Sequence, residues 1–134
     1  MPRVSFCIPT HDGNAKCQQY LFDIFYALEN QTCKDFNVWI SDHSKSDKIL
    51  KACQEYADVF EINFVKNPTG LGNISSNTNN ALRCADGDIL KVLFSDDFIL
   101  TKTLVEQLDK TFNDNVAWAV TGYAHTFTDG LEHY

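Results

Sequence analysis

The sequence predicts an α/β domain built on a mostly parallel sheet with helices on both faces. Three observations predict it. Short apolar runs recur along the chain at strand length. Between them lie segments whose apolar residues fall at helical spacing. The strand–helix alternation has the short period of parallel crossover units. Polar residues gather just after strands one, two and four, at what a doubly wound topology makes one crevice at the carboxyl edge.

Each element can be justified in order. Val4–Pro9 is apolar and stops at a Pro-Thr turn, which makes it strand one; the loop Thr10-His-Asp-Gly-Asn14 follows. Lys16 to Asn30 carries Tyr20, Leu21, Ile24, Phe25 and Leu28 on one helical face. Phe36–Ser41 is strand two and ends at Asp42. Asp47 is placed to cap a second helix with an apolar stripe of Ile49, Leu50, Cys53, Tyr56 and Ala57. Val59–Val65 is strand three, followed by the turn-rich Asn67-Pro-Thr-Gly-Leu-Gly-Asn73. A polar helix then runs to about Ala85, with Ile74, Ala81, Leu82 and Ala85 expected inward, and Asp86-Gly87-Asp88 closes it. The fourth strand begins at Ile89. Thr103 and Glu106 form a capping box for a helix carrying Leu104, Val105, Leu108 and Phe112, and Val116–Thr121 is expected as strand five. Residues 122–134 fit no element and are left for oligomer contact or site closure.

With 134 residues the chain holds one domain, 1–134, and not two. Its 44% apolar content and 10 Phe argue for a packed core and against disorder. A net charge of −7 argues against a nucleic-acid partner, so an anionic ligand needs a metal or a local basic group. No apolar run is long enough to cross a bilayer, and the start lacks the layout of a secretion signal. The five cysteines are odd in number and show no Cys-x-x-Cys spacing. Reduced core thiols and a cytoplasmic location are expected, rather than a disulfide frame or a zinc site.

The most informative stretch is Ile89-Leu-Lys-Val-Leu-Phe-Ser-Asp-Asp-Phe98, an apolar run that ends on two carboxylates. Two like charges at a strand end call for a cation. One reading is a divalent metal with phosphates on its far side. The other is a polar turn before the next helix. The fragment alone is even between them.

Four stretches in order resemble glycosyltransferase family 2, the nucleotide-sugar-binding half of a GT-A fold. Val4-Ser-Phe-Cys-Ile-Pro-Thr10 resembles the family's opening strand and turn. Val38-Trp-Ile-Ser-Asp-His-Ser-Lys-Ser-Asp47 resembles its second strand, with an Asp, a Ser-rich turn and another Asp. Asn67-Pro-Thr-Gly70 is followed at a matching interval by Asn79 and then Gly87-Asp88. Leu93-Phe-Ser-Asp-Asp97 stands in place of the family's Asp-x-Asp metal motif. The match covers residues 4 to about 98. It departs from the pattern at Phe94, where the family often has Asp, and at Thr78-Asn79, where it often has Arg-Asn. Typical members are longer, and their further part supplies the acceptor site and the catalytic base.

The resemblance implies an inverting, metal-dependent glycosyltransferase that uses a nucleoside-diphosphate sugar, with a UDP-sugar favoured. Its alternative is a catalytically silent nucleotide-sugar-binding domain or a fragment of a longer enzyme. Nucleotide-binding positions carried over are Pro9, Thr10, Asp42, Asn67, Gly70, Asn79, Asp88, Ser95 and Asp96. The bland readings are a simple turn at Thr10, a turn or cap at Asp42 and Asp88, and helix-surface polarity at Asn79. Lys45, Lys48 and Lys66 can face phosphate or merely solvate the surface. Asp96 and Asp97 are the metal candidates, for Mn2+ or Mg2+, with His125 by position only. No motif identifies the base; Asp97, Asp129 and Glu132 are the carboxylates available. Loss of an acceptor half would leave apolar surface for self-association, so a homo-oligomer is expected. A receiver-like or phosphatase-like domain is disfavoured, because strand one does not end on an acidic pair. A dinucleotide-binding domain is disfavoured because no Gly-x-Gly-x-x-Gly follows that strand.

Overall fold

The computed structural model describes residues 2–68, 73–127 and 130–133, with 125–127 and 130–133 described by backbone alone. Strands β1 (Val4–Thr10), β2 (Phe36–Asp42), β3 (Ile62–Lys66) and β4 (Ile89–Val92) form a parallel sheet in the order β3-β2-β1-β4. Helices α1 (Cys17–Glu29), α2 (Lys48–Tyr56), α3 (Ile74–Cys84) and α4 (Leu104–Thr111) cover it. A separate antiparallel hairpin joins β5 (Ala124–Phe127) to β6 (Gly130–His133).

The two faces of the sheet differ in chemistry, and period-two alternation is the cause. Val4, Phe6 and Ile8 pair in register with Phe36, Val38 and Ile40. Together with Leu21, Ile24, Phe25 and Leu28 of α1, Ile49 and Ala52 of α2, and Leu104, Val105 and Leu108 of α4, they form the apolar core. Phe25 closes this side by packing on Tyr56 and, edge to face, on Phe60. The opposite face presents Ser5, Cys7, Asn37, Trp39 and Ser41. Helix α3 packs on β1 and β2 and meets this face with buried Asn77 and Ala81. A polar helix is therefore the right partner for a polar sheet face. Ser41 Oγ donates to Asn77 Oδ1 at 2.6 Å, and Asn80 Nδ2 donates to Ser41 Oγ at 2.8 Å.

Several expectations are corrected. Val116–Thr121 is not a strand: it lies outside the sheet, and Trp118 and Val120 are almost fully solvent-facing. Strands exist by pairing, and among the described residues β4 is the sheet edge. Strand β3 starts three residues later than expected, because Val59 still belongs to the turn closing α2 and donates to Tyr56 O. Ile74 is exposed rather than inward, at the first turn of α3. In α2, Ala57 is exposed and Ala52 takes its place in the core. Neither Asp47 nor Thr103 makes the expected side-chain cap. Glu106 accepts instead from Thr32 Oγ1 at 2.6 Å, tying α4 to the end of α1.

The amino edge of the sheet is held by charge. Arg3 donates to Asp109 at 2.6 Å and to Asp88 at 3.2 Å, and it reaches Phe112 O. Both carboxylates hold its guanidinium above the ordinary arginine pKa. Gly87 lies directly on β1: its amide donates to Ser5 Oγ at 2.8 Å, and a Cβ there would meet Ser5 N and Oγ at 2.7 Å. Gly87→Ala should therefore lower stability by about 1–3 kcal/mol. Gly122→Ala, with nothing within 4 Å, should shift it by less than ~0.5 kcal/mol. Denaturant unfolding of both variants checks this; equal stability would contradict the close approach.

Candidate active site at the carboxyl edge

Parallel pairing brings the ends of β1, β2 and β3 together, and a buried carboxylate joins them. Asp42 closes β2 opposite Thr10 on one side and Lys66 on the other. Its side chain is fully buried. Oδ1 accepts from Thr10 Oγ1 at 3.0 Å, from Ser44 Oγ at 2.5 Å and from Ser44 N at 3.1 Å. Oδ2 accepts from Lys66 Nζ at 2.9 Å. A buried carboxylate needs this degree of satisfaction to stay charged. Lys66 is itself 45% exposed, so its ammonium stays open to exchange with solvent or ligand. Backbone bonds complete the knot: His43 N donates to Thr10 O and Asn67 N to Asp42 O.

Helix α3 supports the same place from below. Asn77 Nδ2 donates to Thr10 O at 3.0 Å while its Oδ1 accepts from Ser41. Sequence reading named Asn79 for this role. Asn79 is exposed, two helical positions away from Asn77 and so on the opposite side of α3. The helical spacing of Asn77, Asn80, Ala81 and Cys84 is the signal that would have found the inward pair. The expectation for Asp88 also fails. It lies at the start of β4 beside Arg3, at the amino edge, a whole strand (~20 Å) from Thr10. It braces the fold there and lies far from the crevice.

Pro9 is buried within β1 opposite Ser41, and Asn67 is buried just past β3. Gly70 and Asp129 lie outside the described residues, as do the side chains of His125 and Glu132, which sit in β5 and β6. Lys45 and Lys48 are exposed after β2.

Strand β4 ends at Val92, four residues before Asp96 of the acidic pair. The pair sits in a turn: Asp97 N donates to Phe94 O, and Phe94 N donates back to Asp97 Oδ2, both at 3.0 Å. Asp97 thus braces the turn with one oxygen, and Asp96 occupies its exposed tip. Among the described residues no cluster of three or more His, Cys, Asp or Glu surrounds it. Phe94, at the position of the family's first Asp, is 40% exposed on the same turn.

The β1 and β2 loops are strapped together by Asp12. Its carboxylate accepts from Ser46 Oγ in a short bond and from Ser46 N at 3.2 Å. The Ser46 hydroxyl, outweighing partial burial, holds Asp12 below its ordinary pKa of 3.8. A depressed carboxylate stabilises the fold above its unfolded pKa, and that contribution fades as pH falls through the lower folded value. Asp12→Asn should thus be less stable than the wild type at neutral pH by ~0.5 kcal/mol, a small gap because Asp12 is partly exposed. The gap should close as pH falls below 3.8. Thermal melts across pH check it; a gap independent of pH would contradict the strap.

The five cysteines are all free, and burial pushes the Cys7 and Cys53 thiols up to about 12, which leaves them inert. No helix among the described residues is long and apolar enough to cross a membrane.

Comparison with known proteins fits this geometry. The chain is 29% identical over 98% of its length to a Campylobacter jejuni GalNAc(5)-diNAcBac-PP-undecaprenol beta-1,3-glucosyltransferase, of which it spans 39%. It is 33% identical over 74% of its length to Escherichia coli chondroitin synthase, of which it spans 14%. The chain therefore spans well under half the length of these curated relatives. Among solved structures, S. aureus TarS in complex with UDP superposes on 81% of the chain with a TM-score of 0.70 at 22% identity, over 31% of TarS 1-349. A Pyrobaculum calidifontis mannosyltransferase in complex with GDP-Man and Mn2+ superposes on 86% with a TM-score of 0.66 at 23% identity, over 34% of its own chain. These two likenesses establish the GT-A fold. The family model described as Glycosyl transferase family 2 matches residues 5–133, and the chain belongs to that family.

Proposed function

We propose that this domain binds a nucleoside-diphosphate sugar, with UDP as the favoured nucleotide, and transfers the sugar with inversion to an acceptor hydroxyl. The observation that carries this is the convergence of the Thr10–Asp42 knot and the Asp96–Asp97 turn at one sheet edge, in a chain of this family. The knot holds the base end. Thr10 and the backbone around His43 frame the slot, and Asn67 bounds it after β3. Lys66 lies on Asp42 Oδ2. Nucleotide entry draws this ammonium toward phosphate and frees Oδ2 to accept the imide N–H of uracil.

Asp96 and Asp97 are hard oxygen donors, exposed and adjacent in the turn after β4, and they would hold Mn2+ or Mg2+. Asp96 is the principal ligand and Asp97 stands beside it. A metal bound there supplies charge neutralisation at the departing diphosphate. In the transfer itself the acceptor oxygen bonds to the sugar's anomeric carbon. The bond to phosphate breaks with its electron pair leaving on the diphosphate, and the acceptor's proton passes to a carboxylate base. Asp97 has one oxygen committed to Phe94 N and one left for this work. Asp129 and Glu132 are the other candidates.

Two further parts of the reading rest on composition and surface. A cytoplasmic setting suits five free thiols. Self-association suits the exposed Trp118–Val120 segment, and sedimentation velocity checks it. A second reading, a binding domain within a longer transferase, is favoured by the 39% span of the curated relative.

Calorimetric titration with UDP, with and without Mn2+, tests the proposal. Binding should require the metal, and Asp96→Ala should weaken it by at least about tenfold, the equivalent of ~1.4 kcal/mol. Absence of UDP binding under both conditions would contradict it. Metal-dependent UDP binding without transfer or hydrolysis of any UDP-sugar would select the second reading.

A further inference from the structure

Both oxygens of the Asp42 carboxylate are taken. Oδ1 accepts from Thr10 Oγ1, Ser44 Oγ and Ser44 N, and Oδ2 accepts from Lys66 Nζ at 2.9 Å. The Asp42 side chain is 1% exposed and that of Lys66 is 45% exposed. Lys66 therefore covers the one oxygen that has room for a ligand. We propose that Lys66 is a specificity-determining latch: it withholds Asp42 from a bare nucleoside and releases it when phosphate arrives with the base. The inference rests on the donor reading above and adds a rule for which nucleotides the site accepts.

Charge makes the release conditional. A carboxylate without water needs a counter-charge, and taking away one partner of a buried pair destabilises the other. Among the described residues Lys66 makes the only ion pair of Asp42. Strand pairing sets it there, since the two residues are partners in the β2–β3 register. An imide N–H replaces one hydrogen bond at Oδ2 but brings no charge. A nucleoside that displaced the ammonium would leave the buried carboxylate without its cation. A nucleoside diphosphate brings an anion of its own. The ammonium then trades one charge-assisted bond for another, on phosphate, and the N–H takes its place on Oδ2. The four-carbon stem of lysine gives the ammonium the reach for this exchange.

The latch couples two subsites that a plain phosphate-binding lysine would leave independent. Uridine is uncharged, so it has no direct Coulomb attraction to a separate phosphate. Any gain in its affinity from phosphate must pass through the protein, and the Lys66–Asp42 pair is the route. The coupling also depends on the base. Uracil offers Oδ2 a ring N–H, whereas cytosine has a bare acceptor nitrogen at that place, which a carboxylate oxygen repels. Free nucleosides therefore compete poorly with nucleoside diphosphates, and cytidine gains nothing from an open latch.

The test titrates uridine into the full wild-type chain with Mg2+, alone and at saturating inorganic pyrophosphate, and follows it by NMR shift changes. Pyrophosphate should tighten uridine by roughly fivefold or more, and by reciprocity uridine should tighten pyrophosphate by the same factor. Cytidine should show no such gain. In Lys66→Met, uridine alone should bind more tightly than in the wild type, and the gain from pyrophosphate should be lost. A lysine that only braced Asp42 would not raise uridine affinity when removed. Uridine affinity unaltered by pyrophosphate, or an equal gain for cytidine, would overturn the latch; this comparison uses the wild type and holds even where Lys66→Met fails to fold. UDP is titrated in parallel. UDP binding without the uridine–pyrophosphate coupling would reject the latch alone, and absence of UDP binding would reject the donor reading with it.

Discussion

The buried carboxylate of Asp42 is the constraint on which the carboxyl edge depends. A carboxylate stripped of water destabilises a fold unless its oxygens are bonded and its charge is met. Thr10, Ser44 and Lys66 meet both needs, and each comes from a different segment: the end of β1, the loop after β2 and the end of β3. Satisfying the Asp42 carboxylate therefore ties together the three segments that leave this edge. The same bonds make the crevice a preformed one, so a ligand there meets oriented groups at little ordering entropy.

That knot is reachable because the sheet is apolar on one face only. Strand residues alternate, so the even positions of β1 and β2 build the core with α1, α2 and α4. The odd positions of β1 and β2 carry serines and an asparagine that need polar partners. Asn77 and Asn80 of α3 supply them at Ser41 and Thr10. Asp86 supplies them lower down: Asn37 Nδ2 donates to it at 2.9 Å, and this bond, more than that of Trp39, holds its carboxyl below the usual range. Polar burial thus runs the length of the face from the amino-edge clamp to the crevice. Replacing α3 by an apolar helix would strand Ser41 and the Thr10 carbonyl without these partners.

The α/β alternation was legible because α1, α2 and α4 each bury a clear apolar stripe, as Leu21, Ile24, Phe25 and Leu28 do in α1. The strand ends were legible because Thr10 and Asp42 interrupt apolar runs. What the sequence hid has physical reasons. The inward side of α3 is marked only by the helical spacing of Asn77, Asn80, Ala81 and Cys84, a weaker signal than an apolar stripe, and Asn79 lies off it. Asp88 stands close to the fourth strand in sequence, but at its start, and parallel pairing sends starts and ends to opposite edges. Val116–Thr121 has strand composition without a described strand to pair with.

The most direct test of the account is an amide NMR map of the wild-type chain titrated with UDP and Mn2+. The account predicts shifts and paramagnetic broadening gathered at the carboxyl edge: at Thr10, from Asp42 to Ser44, at Asn67, and most strongly around Asp96 and Asp97. Arg3 and Asp88, a strand's length away, should stay unmoved. Broadening centred on the Arg3–Asp88 edge, or an unchanged spectrum at saturating ligand, would contradict it.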